Sequence, residues 1–298
     1  MDIIKLRARA KINLSIDILG IFDDGYHNVE MIMQSIDLSD YVVIRKKDEG
    51  FKMYTSSSDL PVDKRNIIFK TWEYMKKKYD IVGGIEVFLE KNIPIAAGMA
   101  GGSADSAAMF IGLNELFGLN ISRDQLIEDS KELGSDIAFC INGGTYLATG
   151  KGTDLKQIDN LDENLEILIC KPNTFVSTKR VYKKFDSMYG DMRVDKRPNN
   201  KGIMSALKTK DVQKMTNSMY NVLEPVTKIW CRNIASIEKI MLDKGALISM
   251  MSGSGPTVFG IFEDGKNIKK CSDILRKKYS QTFITKASNK GVEICGIK

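Results

Sequence analysis

Between Ala10 and Ile18 the chain alternates strictly, with Ile12, Leu14, Ile16 and Ile18 pointing one way and Lys11, Asn13, Ser15 and Asp17 the other, the period of a β-strand. Lys11 and Asn13 therefore share a face. Asp23-Asp24-Gly25 signals a turn, and Val29–Leu38, Val42–Arg45 and Phe51–Tyr54 read as further strands, so the chain opens rich in β-structure. The period then lengthens: Ile67, Ile68, Trp72 and Met75 predict a helix over Asn66–Tyr79, broken at Val82-Gly83-Gly84. Ile85, Val87 and Leu89 alternate again as a strand.

Pro94–Ser103 is too rich in glycine to be strand or helix, and it runs into a helix over Ala104–Phe117. A second helix is expected over Ser122–Leu133, with Ser122 as N-cap and Gly134 as the stop. A short segment opens at Ser135-Asp136, followed by a strand at Thr145–Ala148 and a turn at Gly150-Lys151-Gly152. Beyond the polar stretch Asp159–Asn164 come a buried strand at Ile167–Cys170 and helices near Ser177–Phe185, Met215–Leu223 and Ile229–Asp243. Leu247–Met251, Ser252–Pro256 and Thr257–Phe262 read as strand, glycine turn, strand. Residues 188–201 carry charge and turn formers without apolar periodicity and read as a mobile surface loop. Strands and helices interleave without a regular βαβ period, which predicts the α+β class.

At 298 residues the chain exceeds one core of roughly 100–150 residues, so two lobes are expected, 1–155 and 156–298, with a cleft between them. Charge changes this picture little: the net +6 is spread along the chain and suits an anionic small substrate as well as RNA. Lys76-Lys77-Lys78 and Lys183-Lys184 read as solvated helix faces, and no stripe interleaves basic and aromatic residues as a nucleic-acid surface would. The five cysteines are scattered and odd in number, and with His27 as the one histidine they offer no zinc spacing. A reducing, cytoplasmic setting is expected, because the N-terminus begins in a strand pattern and no apolar run reaches the ~20 residues of a membrane span.

The loop at 94–103 is the strongest candidate for chemistry. Gly98, Gly101 and Gly102 leave the backbone bare, and the N–H groups that open the next helix would complete an anion cradle. A tight strand-to-helix connection is the plainer reading. The loop is neither a Walker A sequence, since Ser103 stands where lysine is required, nor the G-x-G-x-x-G fingerprint.

Pro94–Ser103 with Ala104-Asp105-Ser106-Ala107-Ala108 resembles the P-x-x-x-G-L-G-G-S-S motif of the GHMP kinases. Ala10–Leu14 and Met251–Pro256 resemble, in the right order, that family's N-terminal and C-terminal motifs. Asp23-Asp24-Gly25-Tyr26-His27 and Leu133-Gly134-Ser135-Asp136-Ile137 narrow the resemblance to the members that act on 4-(cytidine 5′-diphospho)-2-C-methyl-D-erythritol. The phosphate loop departs from the usual pattern at Met99, Ala100 and Ala104.

The resemblance implies a two-lobe fold, with an N-terminal lobe like domain 2 of ribosomal protein S5 and a ferredoxin-like α/β C-terminal lobe. It implies transfer of the γ-phosphate of ATP, with Mg²⁺, to the 2-hydroxyl of that substrate in non-mevalonate isoprenoid synthesis. Pro94, Ile95, Ala96, Ala97, Gly98, Met99, Ala100, Gly101, Gly102, Ser103 and Ala104 would hold ATP. Asp136, by its position alone a plain helix N-cap, would be the base, and Lys11 would stabilise it and the attacking oxygen. Tyr26 and Tyr182 would sandwich the cytosine, His27 would hydrogen-bond it, and Asn13 and Thr178 would be further contacts. Partners are then the two small molecules, with no nucleic acid or membrane, and the chain a monomer or weak homodimer. The metal ligands are not legible. A GHMP kinase acting on mevalonate or homoserine would share the loop without needing the cytosine pocket, and an RNA-binding module is the alternative of another class.

Overall fold

The alternating N-terminal run becomes the axis of the molecule. β1 (Ile3–Ile21) pairs antiparallel with β2 (His27–Lys47) along its whole length through the Asp23–Gly25 turn. The structure, a computed structural model, describes residues 2–190 and 192–297. The first half continues through β3 (Phe51–Thr55), α1 (Ile67–Lys78), β4 (Gly84–Glu90), α2 (Gly101–Phe117), α3 (Arg123–Ser130), α4 (Ile137–Asn142), β5 (Thr145–Thr149) and β6 (Asp154–Gln157). There follow β7 (Glu166–Cys170), α5 (Thr178–Tyr189), α6 (Asn200–Thr209), α7 (Val212–Ser218), α8 (Glu224–Lys228), α9 (Asn233–Asp243), β8 (Ile248–Met251), β9 (Val258–Phe262), α10 (Gly265–Arg276), β10 (Thr282–Lys286) and β11 (Val292–Ile297).

Two sheets result, and the class is α+β as expected. The first has the order β11-β1-β2-β4-β3 with β5 and β6 added beside β2, and the second has the antiparallel order β10-β7-β9-β8. Numbered within itself the second sheet reads 4-1-3-2 in a βαββαβ chain, the ferredoxin-like arrangement. The two strands expected at Val29–Leu38 and Val42–Arg45 are one, because β2 serves two neighbours in turn: residues 31–34 pair with β5 and 41–47 with β4. The division expected at 155/156 falls inside β6, and β11 returns from the far end of the chain to the edge of the first sheet.

α2 is alanine-rich and buried around most of its circumference, as a helix with no polar face must be. It packs on β1 and β2 and carries the glycine loop at its N-terminus. Ser122 caps α3 through Gln125 N as expected, but the helix stops at Ser130 and Lys131–Leu133 continue as turns. The helix expected over Met215–Leu223 ends at Ser218, because the chain beyond it is needed elsewhere: Ile16 N donates to Tyr220 O and Val222 N to Ile16 O (3.0 and 3.1 Å). That bridge pairs the edge of β1 at Ile16, while on its polar face Asn13 and Ser15 are wholly buried, Asn13 Oδ1 accepting from Lys11 Nζ and Ser15 Oγ donating to Asn200 Oδ1. Of the stretch 188–201, residue 191 lies outside the described residues. The remainder is not loose, since Arg197 pairs with Asp17 and donates to Ile18 O at 2.9 Å, while Met192 and Val194 pack on the second core. The five cysteines are unpaired, and four of them are buried. No helix among the described residues is long and apolar enough to cross a membrane.

Candidate active site

A cavity of about 1550 Å³ opens between elements of the first sheet and α5 of the second half. Single small-molecule pockets run to roughly 300–1,000 Å³, so there is room for two ligands. Its floor is the glycine loop. Pro94 to Gly102 all line it, whereas Ser103 and Ala104 do not; Ala104 is fully buried in the core, and Asp105, next along α2, lines the cavity again. Ala100, in the left-handed region at φ 54°, precedes the helix and no side chain caps it. The first-turn N–H groups are therefore open to an anion.

The C-terminal glycine turn holds this loop from behind. Ser252 Oγ donates to Gly98 O at 3.0 Å and accepts from Asn13 N at 3.3 Å. A Cβ built on Gly98 would stand 2.4 Å from Ser252 O, so the two backbones touch where no side chain fits. Asn221, wholly buried, anchors the turn by donating to Met251 O and Gly253 O at 2.9 and 2.8 Å.

β1 reaches the same place. Its register slips between Arg9 and Lys11 and again between Asn13 and Ser15, and bulges of this kind re-aim side chains. Lys11 N donates to Met99 O at 3.1 Å, tying strand to loop, while Lys11 Nζ donates to Asn13 Oδ1 at 2.7 Å. Asp136 Oδ2 lies 3.7 Å from Lys11 Nζ. Asp136 occupies the N-cap position of α4, yet its side chain caps nothing. The carboxylate is left facing the cavity beside an ammonium, as an acceptor with no structural duty.

Tyr26, His27, Thr178 and Tyr182 line the cavity as well. Tyr26 is 63% exposed, with Lys151 Nζ 4.7 Å over its ring and Lys151 paired to Asp24. Tyr182 lies against His27, ring centroids 4.7 Å apart. Burial, and then the Asp136 carboxylate, push the Tyr182 phenol up to about 12, so it stays a neutral donor. Thr178 Oγ1 lies 2.7 Å from Ser254 Oγ, joining α5 to the glycine turn.

Sequence profiles of the GHMP kinases N terminal domain and of the GHMP kinases C terminal match residues 66–144 and 203–281. Over 297 residues, 99% of either chain, the sequence is 49% identical to the 4-diphosphocytidyl-2-C-methyl-D-erythritol kinase of Clostridioides difficile (strain 630). The chain belongs to the GHMP kinase family. A crystal structure of a 4-(cytidine 5′-diphospho)-2C-methyl-D-erythritol kinase superposes with a TM-score of 0.80 at 23% identity, covering 95% of this chain and 99% of that one. The homoserine kinase of Cytophaga hutchinsonii does so at 0.78 and 21%, covering 99% and 98%. Two GHMP kinases of different substrate fit almost equally well, so the fold alone does not choose between them.

Several groups lining this kinase's cavity are not singled out by the sequence reading. Lys179, Lys183 and Asp186 share the inner face of α5 with Thr178 and Tyr182. Helical spacing from Thr178 and Tyr182 marks them, although Lys183 reads locally as part of a solvated face. Lys91 and Asp105 lie beside the glycine loop. Lys91 Nζ pairs with Asp105 Oδ2 at 2.8 Å and with Asp40, whose Oδ1 accepts from Asn92 N and Ile93 N at 2.6 and 2.8 Å. A carboxylate near the start of a helix buried around most of its circumference is the available signal, because it must find a partner inside.

Burial pushes the Asp105 carboxyl well up against the pull of Lys91. Burial opposes the charge on Lys91, but Asp105 and then Asp40 hold its pKa above the ordinary value. Removing the ammonium strands two buried carboxylates. Lys91→Met is expected to cost about 3–5 kcal/mol of stability, read as a lowered denaturation midpoint, and a midpoint equal to wild type would show that the cluster does not hold the loop's base.

Proposed function

We propose that this kinase transfers the γ-phosphate of ATP to the 2-hydroxyl of 4-(cytidine 5′-diphospho)-2-C-methyl-D-erythritol, giving the 2-phosphate and ADP in isoprenoid precursor synthesis. The single observation that carries the reading is the Lys11–Asp136 pair at 3.7 Å, on the cavity wall beside the bare phosphate loop to which the Lys11 amide is bonded. The choice of acceptor draws on the 49% identity to a relative of that name and on Tyr26 and His27 in the cavity lining.

In this reading residues 94–104 serve the nucleotide, with 94–102 at the cavity wall. Phosphoryl transfer depends mostly on positioning and charge neutralisation. Asp136 accepts the proton of the attacking hydroxyl, Lys11 stabilises the oxygen, Asn13 holds Lys11 in place, and transfer is direct. Tyr26 and Tyr182 stack on the base, with His27 and Thr178 as polar contacts. Among the described residues no group of three or more His, Cys, Asp or Glu side chains could hold a metal unaided. Mg²⁺, however, binds through one or two carboxylates together with substrate phosphates, and Glu132 on the cavity wall fits that need. It would supply counter-charge to the phosphates. Two lobes follow along the chain, 1–155 and 156–298, the boundary falling within β6 and β11 returning to the first. The chain acts as a monomer or weak homodimer. Five unpaired cysteines fit a cytoplasmic setting.

The test is ADP release, followed by a coupled assay, with the cytidine substrate, mevalonate and homoserine offered separately. Turnover is expected with the first alone, and turnover with mevalonate or homoserine instead would overturn the assignment.

A further inference from the structure

The fold sets the chain's one histidine against α5. His27 opens β2, and its Nε2 lies 2.7 Å from Asp186 Oδ1. Asp186 sits one helical turn beyond Tyr182, whose ring backs the imidazole at 4.7 Å, tilted by 49°. One face of one helix therefore grips the histidine by its edge and by its plane.

An ionised carboxylate only accepts hydrogen bonds, so the ring nitrogen facing Asp186 carries a proton. When the imidazole is neutral, its other nitrogen is then an acceptor, since a bond made by one nitrogen fixes the state of the other. Among the described residues the one hydrogen bond of the imidazole is that through Nε2, and Nδ1 is not among the buried polar atoms left without a partner. Nδ1 is thus accessible, on a residue that lines the cavity.

We propose that Asp186 is a positioning residue for base recognition: it holds His27 with Nε2 protonated, so that Nδ1 offers an acceptor to the 4-amino group of a cytosine. The inference rests on the reading of this part of the cavity as a cytidine site. Cytosine carries a donor at the position where uracil carries an oxygen acceptor. An acceptor at Nδ1 attracts the first and repels the second, so discrimination depends on the tautomer and therefore on Asp186. A freely turning ring could offer its N–H instead and accept uracil.

A single histidine makes this directly measurable, because its ring nitrogens give one pair of ¹⁵N resonances needing no assignment. At about pH 8.5, above the ordinary histidine range, the wild-type protein is expected to show Nε2 protonated and Nδ1 bare, and Asp186→Ala a mixture. Binding of CDP and UDP to the same proteins gives the second readout. Asp186→Ala is expected to weaken CDP about tenfold and to leave UDP within about twofold, an effect the size of one lost hydrogen bond. Asp186→Asn, nearly isosteric, guards against a packing defect and is expected to lose the CDP preference too. A proton on Nδ1 in the wild type, or variants that keep the wild-type CDP:UDP ratio, would overturn the role of Asp186 alone. Wild-type protein that bound CDP and UDP alike would instead bring down the cytidine-site reading, and this inference with it.

Discussion

Replacing Asp136 by asparagine is expected to lower kcat by about 10²–10⁴-fold, the span of a lost general base, while both KM values move little. The amide fills the same volume and keeps an oxygen near Lys11, but it cannot take a proton from a hydroxyl. Nothing structural should suffer, because the Asp136 side chain caps no helix and its pairing with Lys11 is at ion-pair, not hydrogen-bond, distance (3.7 Å). An interaction realised only in the transition state appears in kcat and kcat/KM together. Steady-state kinetics on both substrates decides the matter, and near-normal turnover would remove Asp136 from the proposed role.

The second large effect is expected at Gly98. Its backbone is left-handed at φ +70°, and a Cβ there would meet Ser252 O at 2.4 Å. Alanine in that region costs about 1–2 kcal/mol, and forcing apart two packed backbones costs about 1–3 kcal/mol more. The loop and the turn behind it must separate, taking the phosphate cradle with them. Gly98→Ala is therefore expected to lower the melting temperature and to reduce kcat/KM for ATP by about 100-fold, equivalent to about 2.7 kcal/mol. Gly102 is the control, since a Cβ there meets nothing nearer than Ile67 Cγ2 at 3.7 Å. Gly102→Ala should fold as wild type and lose only nucleotide affinity, because what it obstructs is the ligand. A Gly98→Ala protein with wild-type melting and wild-type ATP kinetics would sink the idea that this contact shapes the cradle.

Both variants lie where local sequence signals were strong. Glycines between a strand and an alanine-rich helix announce a bare bend, and a carboxylate after Gly134 stands out as a cap or a base. Which of the two Asp136 is could not be read locally, because capping depends on where the side chain turns once α4 is packed. The structure leaves it uncapped. Lys11 shows the same limit: strict alternation put it on the polar face of β1, where solvent is the default. Lys11 is in fact buried, and residues 220–222 and the glycine turn, drawn from more than 200 positions along the chain, bond to the main chain of the same strand.

What the sequence determined by itself was the periodic and the punctuated: the alternation of β1, the helical spacing of α1, the Ser122 cap of α3 and the glycine loop with its two partner motifs. These are written in neighbouring residues, and a strand or turn follows from them whatever lies across the core. Tertiary structure alone decided which polar groups are buried and against what. It returned β11 to the first sheet, set Lys91 between Asp40 and Asp105, and turned one face of α5 with Lys183 and Asp186 into the cavity. The reason is that a charge or hydroxyl is stabilised by its partners, and here the partners come from far along the chain: Arg9 bonds to Glu293, 284 residues away, and His27 to Asp186, 159 away. No window of local sequence contains such a pair.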